Sequence, residues 1–224
     1  MNDFADIANL FSKKFLIDPR ISMDLIERLQ SRQYVDDTEF DRVFPAYYQL
    51  QSSIHWSSIL VAYQIAEWIE LFNKNKLVDI GCGVGKLCLL LGILTKYEIF
   101  GIEQRLKLVL VAKQIIEKNK FENISITQMN MLDLDWEDFD IYYLYNPFQE
   151  HLINSGISIL ERDLDFDRKF YAQYTSEVYK QLCTAKPGKV LITFHGYGGS
   201  VPPGWKMIAS KHIDDGELTM WIKD

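Results

Sequence analysis

The sequence predicts an α/β fold: a mostly parallel seven-stranded sheet closed by a C-terminal antiparallel hairpin and preceded by a helical lobe. Three observations predict it. From residue 76 onward, short apolar runs of strand length alternate with stretches of helical period, the pattern of a parallel sheet covered on both faces. Near the C-terminus, Asp214-Asp215-Gly216 separates two strand-like stretches and reads as a hairpin turn. Before residue 76 only helical spacing is found. The chain has 224 residues, 48% of them hydrophobic and 13% aromatic, enough to fill one large core plus an accessory lobe.

In the lobe, Met23, Ile26 and Leu29 give residues 22–33 a helical stripe. Trp56, Ile59, Leu60, Tyr63, Ala66 and Ile69 do the same for residues 56–73. Between them, 34–55 holds Pro45 and several aromatics and reads as irregular. Tyr47, Tyr48, His55 and Trp56 pack this lobe or form an aromatic lid, with packing the simpler reading. The chain divides into a helical extension, 1–55, and an α/β domain, 56–224. Strands are expected at Leu77–Ile80, Glu98–Ile102, Ile124–Gln128, Phe139–Tyr145 and Lys189–Phe194, then at Trp205–Ile213 and Glu217–Ile222. Helices are expected at Leu87–Leu94, Leu106–Asn119, 150–160 and 168–184.

Charge and cysteine usage exclude several classes. A net charge of −7 weighs against extended nucleic acid as a partner, which relies on clustered Lys and Arg. No apolar run is long enough to span a bilayer, so no membrane is expected. The opening MNDFADIANLFSKKF has no apolar core of a signal peptide. Cys82, Cys88 and Cys183 show neither disulfide nor zinc spacing, and reduced packing thiols in a cytoplasmic protein are expected. No metal site is expected.

The chemistry sits at the strand ends, because ligands of such sheets bind beyond their carboxyl edges. The first strand runs Leu-Val-Asp-Ile into Gly81-Cys-Gly83-Val-Gly85-Lys86. A dinucleotide loop needs its third glycine one residue later, and a Walker A loop needs Gly at 80 and Ser or Thr at 87. Ile80, Lys86 and Leu87 exclude both, and Lys86 reads as a solvated residue of the first helical turn. Asp79, two residues before the first glycine, turns a phosphate cradle into a place for a cationic ligand.

The second strand ends Gly101-Ile102-Glu103-Gln104, with Glu103 22 residues past Gly81, where a carboxylate can accept both hydroxyls of a ribose. The third ends Met129-Asn130-Met131 and the fourth Tyr145-Asn146-Pro147-Phe148. The fifth ends Phe194-His195-Gly196-Tyr197-Gly198-Gly199, a glycine-rich stretch that reads as a loop over the site. Histidine ordinarily titrates near neutrality, which suits proton removal. The acidic run Asp133–Asp140 reads as a solvated loop.

The Asp79-x-Gly81-x-Gly83-x-Gly85 spacing, with Glu103, Asn130 and Asn146 following in order, resembles the class I S-adenosylmethionine (SAM) methyltransferases over residues 56–224. The resemblance implies a Rossmann-like methyltransferase fold, SAM as cofactor and S-adenosylhomocysteine as product. It places Asp79, Gly81, Gly83 and Gly85 at the methionine end, Glu103 at the ribose, and Asn130 and Met131 at the adenine, with Gln104 a further cofactor contact. Asn146 falls where the methyl acceptor is held, with His195 a candidate base. Asn146-Pro147-Phe148 is similar to the Asn-Pro-Pro-Tyr/Phe motif of enzymes that methylate adenine or glutamine nitrogen, but lacks the second Pro. The expected reaction is methyl transfer to a nitrogen, with a protein side chain such as lysine favoured. The alternatives are a small-molecule or nucleic-acid-base methyltransferase and a non-catalytic SAM-binding protein.

Overall fold

A computed structural model describes residues 18–152 and 167–224. Its sheet has seven strands: β1 Lys76–Ile80, β2 Glu98–Glu103, β3 Ile124–Gln128, β4 Ile141–Tyr145, β5 Val190–Phe194, β6 Trp205–Ile213 and β7 Gly216–Lys223. Their order is β3-β2-β1-β4-β5-β7-β6. The first five are parallel; β7 runs antiparallel to β5 and β6 antiparallel to β7, as the hairpin at Asp214-Asp215 requires. The order reverses between β1 and β4, which opens a crevice beside Gly81 and Asn146.

Five longer helices cover the sheet: α1 Met23–Gln30, α2 Ile59–Ile69, α3 Lys86–Leu94, α4 Leu106–Asn119 and α5 Arg168–Thr184. One apolar cluster joins α1 to α4 with one sheet face, and a second packs α5 and Trp136, Phe139 and Phe148 on the other. Strands buried on both faces need continuous apolar runs, and β5, Val-Leu-Ile-Thr-Phe, is buried throughout. The eight residues of the 150–160 helix expectation from 153 on lie outside the described residues; Gln149–Leu152 is a 3₁₀ turn.

Four expectations are corrected. The helix expected from Trp56 begins at Ile59, because Ser58 accepts the Val61 N–H as its N-cap; Trp56 is extended instead (φ −130°, ψ 146°). The stretch 34–55 contains short helical turns at Asp37–Phe40, Asp41–Val43, Ala46–Gln49 and Ser52–His55. Lys86 is 1% exposed, not solvated. Its Nζ donates to Asp37 at 2.6 Å and Ser52 at 2.8 Å, and lies 2.8 Å from Asp41 Oδ1 in an ion pair lacking hydrogen-bond angles. A buried cation at a helix N-terminus opposes the helix dipole, so it persists only with such partners. The acidic run is only partly a solvated loop: Leu134, Trp136 and Phe139 are buried between its acids.

Candidate functional site

Gly81, Gly83 and Gly85 all have positive φ, 83°, 57° and 77°, and turn the chain from β1 into α3. Gly83 is doubly constrained: a Cβ there would lie 2.6 Å from the Trp56 indole nitrogen. The glycine loop and the lobe are therefore in contact across the site.

Asp79 is buried below this loop. Burial pushes its carboxyl up to about 7; Cys88, whose thiol donates to Oδ2 at 3.6 Å, opposes this, and the negative charge of Glu103 adds to it. Among the described residues no cation pairs with it. A buried carboxyl without a cation is costly to ionise, and a cationic ligand end would relieve that cost.

Glu103, at the end of β2, is 4% exposed, and four donors fill its carboxylate. Oε1 accepts from the Arg105 backbone N–H at 3.0 Å and from Arg105 Nε at 2.9 Å; Oε2 accepts from the Gly83 N–H at 3.2 Å and from Arg105 Nη2 at 3.1 Å. Arg105 Nη1 also donates to Glu150 at 2.7 Å. Burial alone would lower the pKa of Arg105, but the two carboxylates outweigh it and hold the guanidinium charged.

Gln104 Nε2 donates to the Tyr174 hydroxyl at 3.1 Å. Asn130 caps the turn at Met131–Asp133: its Oδ1 accepts from Leu132 N, while Nδ2 donates to Gln104 Oε1 and the Tyr174 hydroxyl, each at 3.3 Å. Gly81, Glu103, Gln104 and Met131, with Met129, Phe148 and Tyr174, line a cavity of about 50 Å³; the Asn130 side chain is not in its wall.

Asn146 ends β4 with φ 37°; its N–H donates to Gly196 O at 2.9 Å and its Nδ2 to Gln149 Oε1 at 3.2 Å. His195 also has positive φ, 57°, and stacks on Tyr145 with ring centres 5.6 Å apart. Its Nε2 is 3.4 Å from Asp215 Oδ1. These two join Gly81, Gly83, Trp56, Tyr145, Glu150 and Asp215 around a second cleft of about 290 Å³. Trp56 is thus both packed and exposed to the cleft, and Tyr48 packs on it edge-to-face. In the glycine-rich stretch, Tyr197 is buried and its hydroxyl donates to Ser200 O.

The structure brings Asp79, the glycines, Glu103, Gln104, Met131, Asn146 and His195 to one edge of the sheet, and adds Arg105, Glu150 and Tyr174, which the strand-end pattern does not reach. A cation two residues after Glu103 was a readable signal; Tyr174, 70 residues from Gln104, gave none. Among the described residues no His, Cys, Asp or Glu group is arranged to hold a metal, and no helix is long and apolar enough to cross a membrane.

The order of strands and the loop at the β1–β4 switch point define a Rossmann-like α/β fold of the methyltransferase kind. Solved structures share it. An RNA methyltransferase from Salinibacter ruber in complex with S-adenosyl-L-homocysteine is 15% identical, with TM-score 0.53 over 75% of this chain and 92% of that one. A Staphylococcus aureus protein provisionally named a caffeoyl-CoA O-methyltransferase is 18% identical, with TM-score 0.55 over 90% of this chain and 98% of that one. YhhF of Escherichia coli, provisionally named a methyltransferase, is 15% identical, with TM-score 0.52 over 75% and 86%. No curated protein matches the chain. The family described as "Methyltransferase domain" matches residues 71–191, more than half of the sequence, and the chain belongs to that family. It is a class I methyltransferase that takes SAM as its cofactor.

Proposed function

We propose that this enzyme methylates an amine nitrogen, with a protein lysine side chain the favoured acceptor. The observation that carries the proposal is the 290 Å³ cleft beyond Asn146, walled by Trp56, Tyr145 and His195 and edged by the Asp215 carboxylate and the Arg105–Glu150 ion pair. Aromatic faces and carboxylates both attract a cationic amine. Nucleic-acid phosphate would meet the Asp215 carboxylate there, although the Salinibacter neighbour acts on RNA.

In this reading Asp79 faces the cationic methionine end of SAM, the backbone of Gly81, Gly83 and Gly85 lies against it, and Glu103 accepts from the ribose. Gln104 and Met131 border the adenine, and Asn130 holds Gln104 and Tyr174 in place for it. SAM supplies a methyl group already made electrophilic by its sulfonium. The protein's task is alignment, which contributes ~7–11 kcal/mol in favourable cases. With Nδ2 held by Gln149, Asn146 Oδ1 is the atom that accepts an N–H of the acceptor. An ammonium must lose its proton before attack, and His195, paired with Asp215, is the base we assign. Residues 56–224 form the methyltransferase domain in this scheme and 18–55 its helical extension, the first 17 residues of the expected extension lying outside the described residues. The three unpaired thiols fit a cytoplasmic location.

The test is labelled-methyl transfer into extract, followed by protease or nuclease digestion. Label released by protease alone supports the proposal; label released by nuclease, or found only in small molecules, overturns it. Asn146→Ala should leave SAM binding within about twofold while transfer falls ~100-fold, the cost of a misplaced reactant.

A further inference from the structure

The two clefts of the site adjoin and share part of their lining. Gly81, Arg105, Pro147 and Glu150 line both the 50 Å³ cavity and the 290 Å³ cleft. Arg105 and Glu150 are its charged members, joined at 2.7 Å, with side chains only 13% and 16% exposed. The smaller cavity has room for a few waters, not for a nucleoside.

A carboxylate offers about four lone-pair sites. In Glu103 all four are taken, one by Gly83 and three by Arg105. Two of Arg105's three come from its guanidinium, and that fork sits where the hydroxyls of a ribose would have to donate. The backbone donors of Gly83 and Arg105 can stay when a ribose arrives, but the guanidinium cannot.

We propose that Arg105 is a bolt across the cofactor site: its guanidinium holds the Glu103 oxygens and the Glu150 carboxylate, and the ribose of the cofactor binds only by displacing it from Glu103. The inference rests on the reading of Glu103 as the ribose acceptor. Once released, Arg105 keeps Glu150 as partner. Glu150 also faces His55 Nδ1 at 3.6 Å in the lobe, so the bolt links the cofactor half of the site to the acceptor half. Arg105 is accordingly a residue that sets the affinity and rate of cofactor entry, and it takes no part in the chemistry.

The experiment is calorimetric titration with S-adenosylhomocysteine, which binds without turnover, into the full chain and into Arg105→Gln, Arg105→Lys and Glu103→Gln. Arg105→Gln should bind about tenfold more tightly than wild type, equivalent to ~1.4 kcal/mol. Arg105→Lys, which keeps the charge but loses the fork, should fall between them. Glu103→Gln should bind far more weakly. In stopped-flow traces of tryptophan fluorescence, the wild-type association rate should reach a plateau with ligand concentration, set by release of the bolt, and Arg105→Gln should lose that plateau. Should Arg105→Gln fail to fold, Arg105→Lys carries the same test. Equal or weaker binding by the folded Arg105 variants overturns the bolt while leaving Glu103 as the ribose acceptor. If Glu103→Gln binds as wild type does, the ribose reading fails and the bolt with it.

Discussion

Replacing Asp79 by Asn should make the ligand-free protein more stable, and by an amount that depends on pH. Asp79 is 5% exposed, and burial is the main reason its carboxyl stands at about 7 rather than the ordinary 3.8. At ~1.4 kcal/mol per pH unit, that displacement costs the folded state about 4 kcal/mol once the group is ionised. The sign follows from which state holds the proton. Between pH 3.8 and about 7 the folded protein keeps a proton that the unfolded chain has lost, so stability falls as pH rises, and above about 7 the full penalty remains. Asparagine keeps the shape and an oxygen for the Cys88 thiol but cannot ionise. The stability difference between Asp79→Asn and wild type should therefore be near zero at pH 4, rise through pH 5 and 6, and level off at about 4 kcal/mol by pH 8. Urea unfolding of both proteins across this range, read by fluorescence, measures the difference directly and cancels every other titrating group. A difference that is flat with pH, or an Asn variant less stable than wild type at pH 8, refutes the reasoning. On the proposed role of Asp79, the same variant should also lose SAM affinity, because it removes the charge assigned to the cationic end of SAM.

Two further outcomes are expected. Below about pH 7 a cation can meet Asp79 only after its proton leaves, so SAM affinity should rise up to ~10-fold per unit to about pH 7 and flatten above; calorimetry in buffers of different ionisation enthalpy should detect the released proton. Lys86→Met should cost ~3–5 kcal/mol in urea unfolding, because it strands the buried Asp41 without its cation, and a loss below ~1 kcal/mol would show that the pair is dispensable.

The parallel order and the strand ends were legible because their signals are local. An apolar run, a glycine that must take positive φ, an acid in the last two residues of β1 and β2, and an Asn one or two residues beyond β3 and β4 can all be read within ten residues of sequence. The β6–β7 hairpin and the limits of α4 and β3 were legible for the same reason. What escaped depends on partners far along the chain. Lys86 looks like any cation in a first helical turn until Asp37 and Asp41, from the lobe, close over it. Trp56 fits a helical stripe by periodicity, but Ser58 makes the better cap, and Ser57 is drawn into the core by a 2.6 Å bond to the Tyr143 hydroxyl. Arg105 was readable as a cation, but its engagement with Glu150 depends on how the β4 loop returns across the site.

The lobe and the glycine loop act as one unit for the same reason. Lys86 is the first residue of α3, immediately after the loop, and Asp37 and Asp41 tie it to the lobe. Trp56 closes from the lobe onto Gly83, so close that no side chain fits there. Both contacts fall within four residues of loop, one on each side of Gly85. Any shift of the lobe must therefore move either the cofactor loop or the buried ion pair. The wall we assign to the acceptor and the loop we assign to the methionine end are thus held in register by the fold itself, before either ligand arrives. Alignment of donor and acceptor is the main barrier-lowering contribution available to a reaction whose methyl group is already activated. On the proposed assignment, that makes the N-terminal helices part of the catalytic scaffold, even though the proposed cofactor contacts come from the strand ends and the loops that follow them.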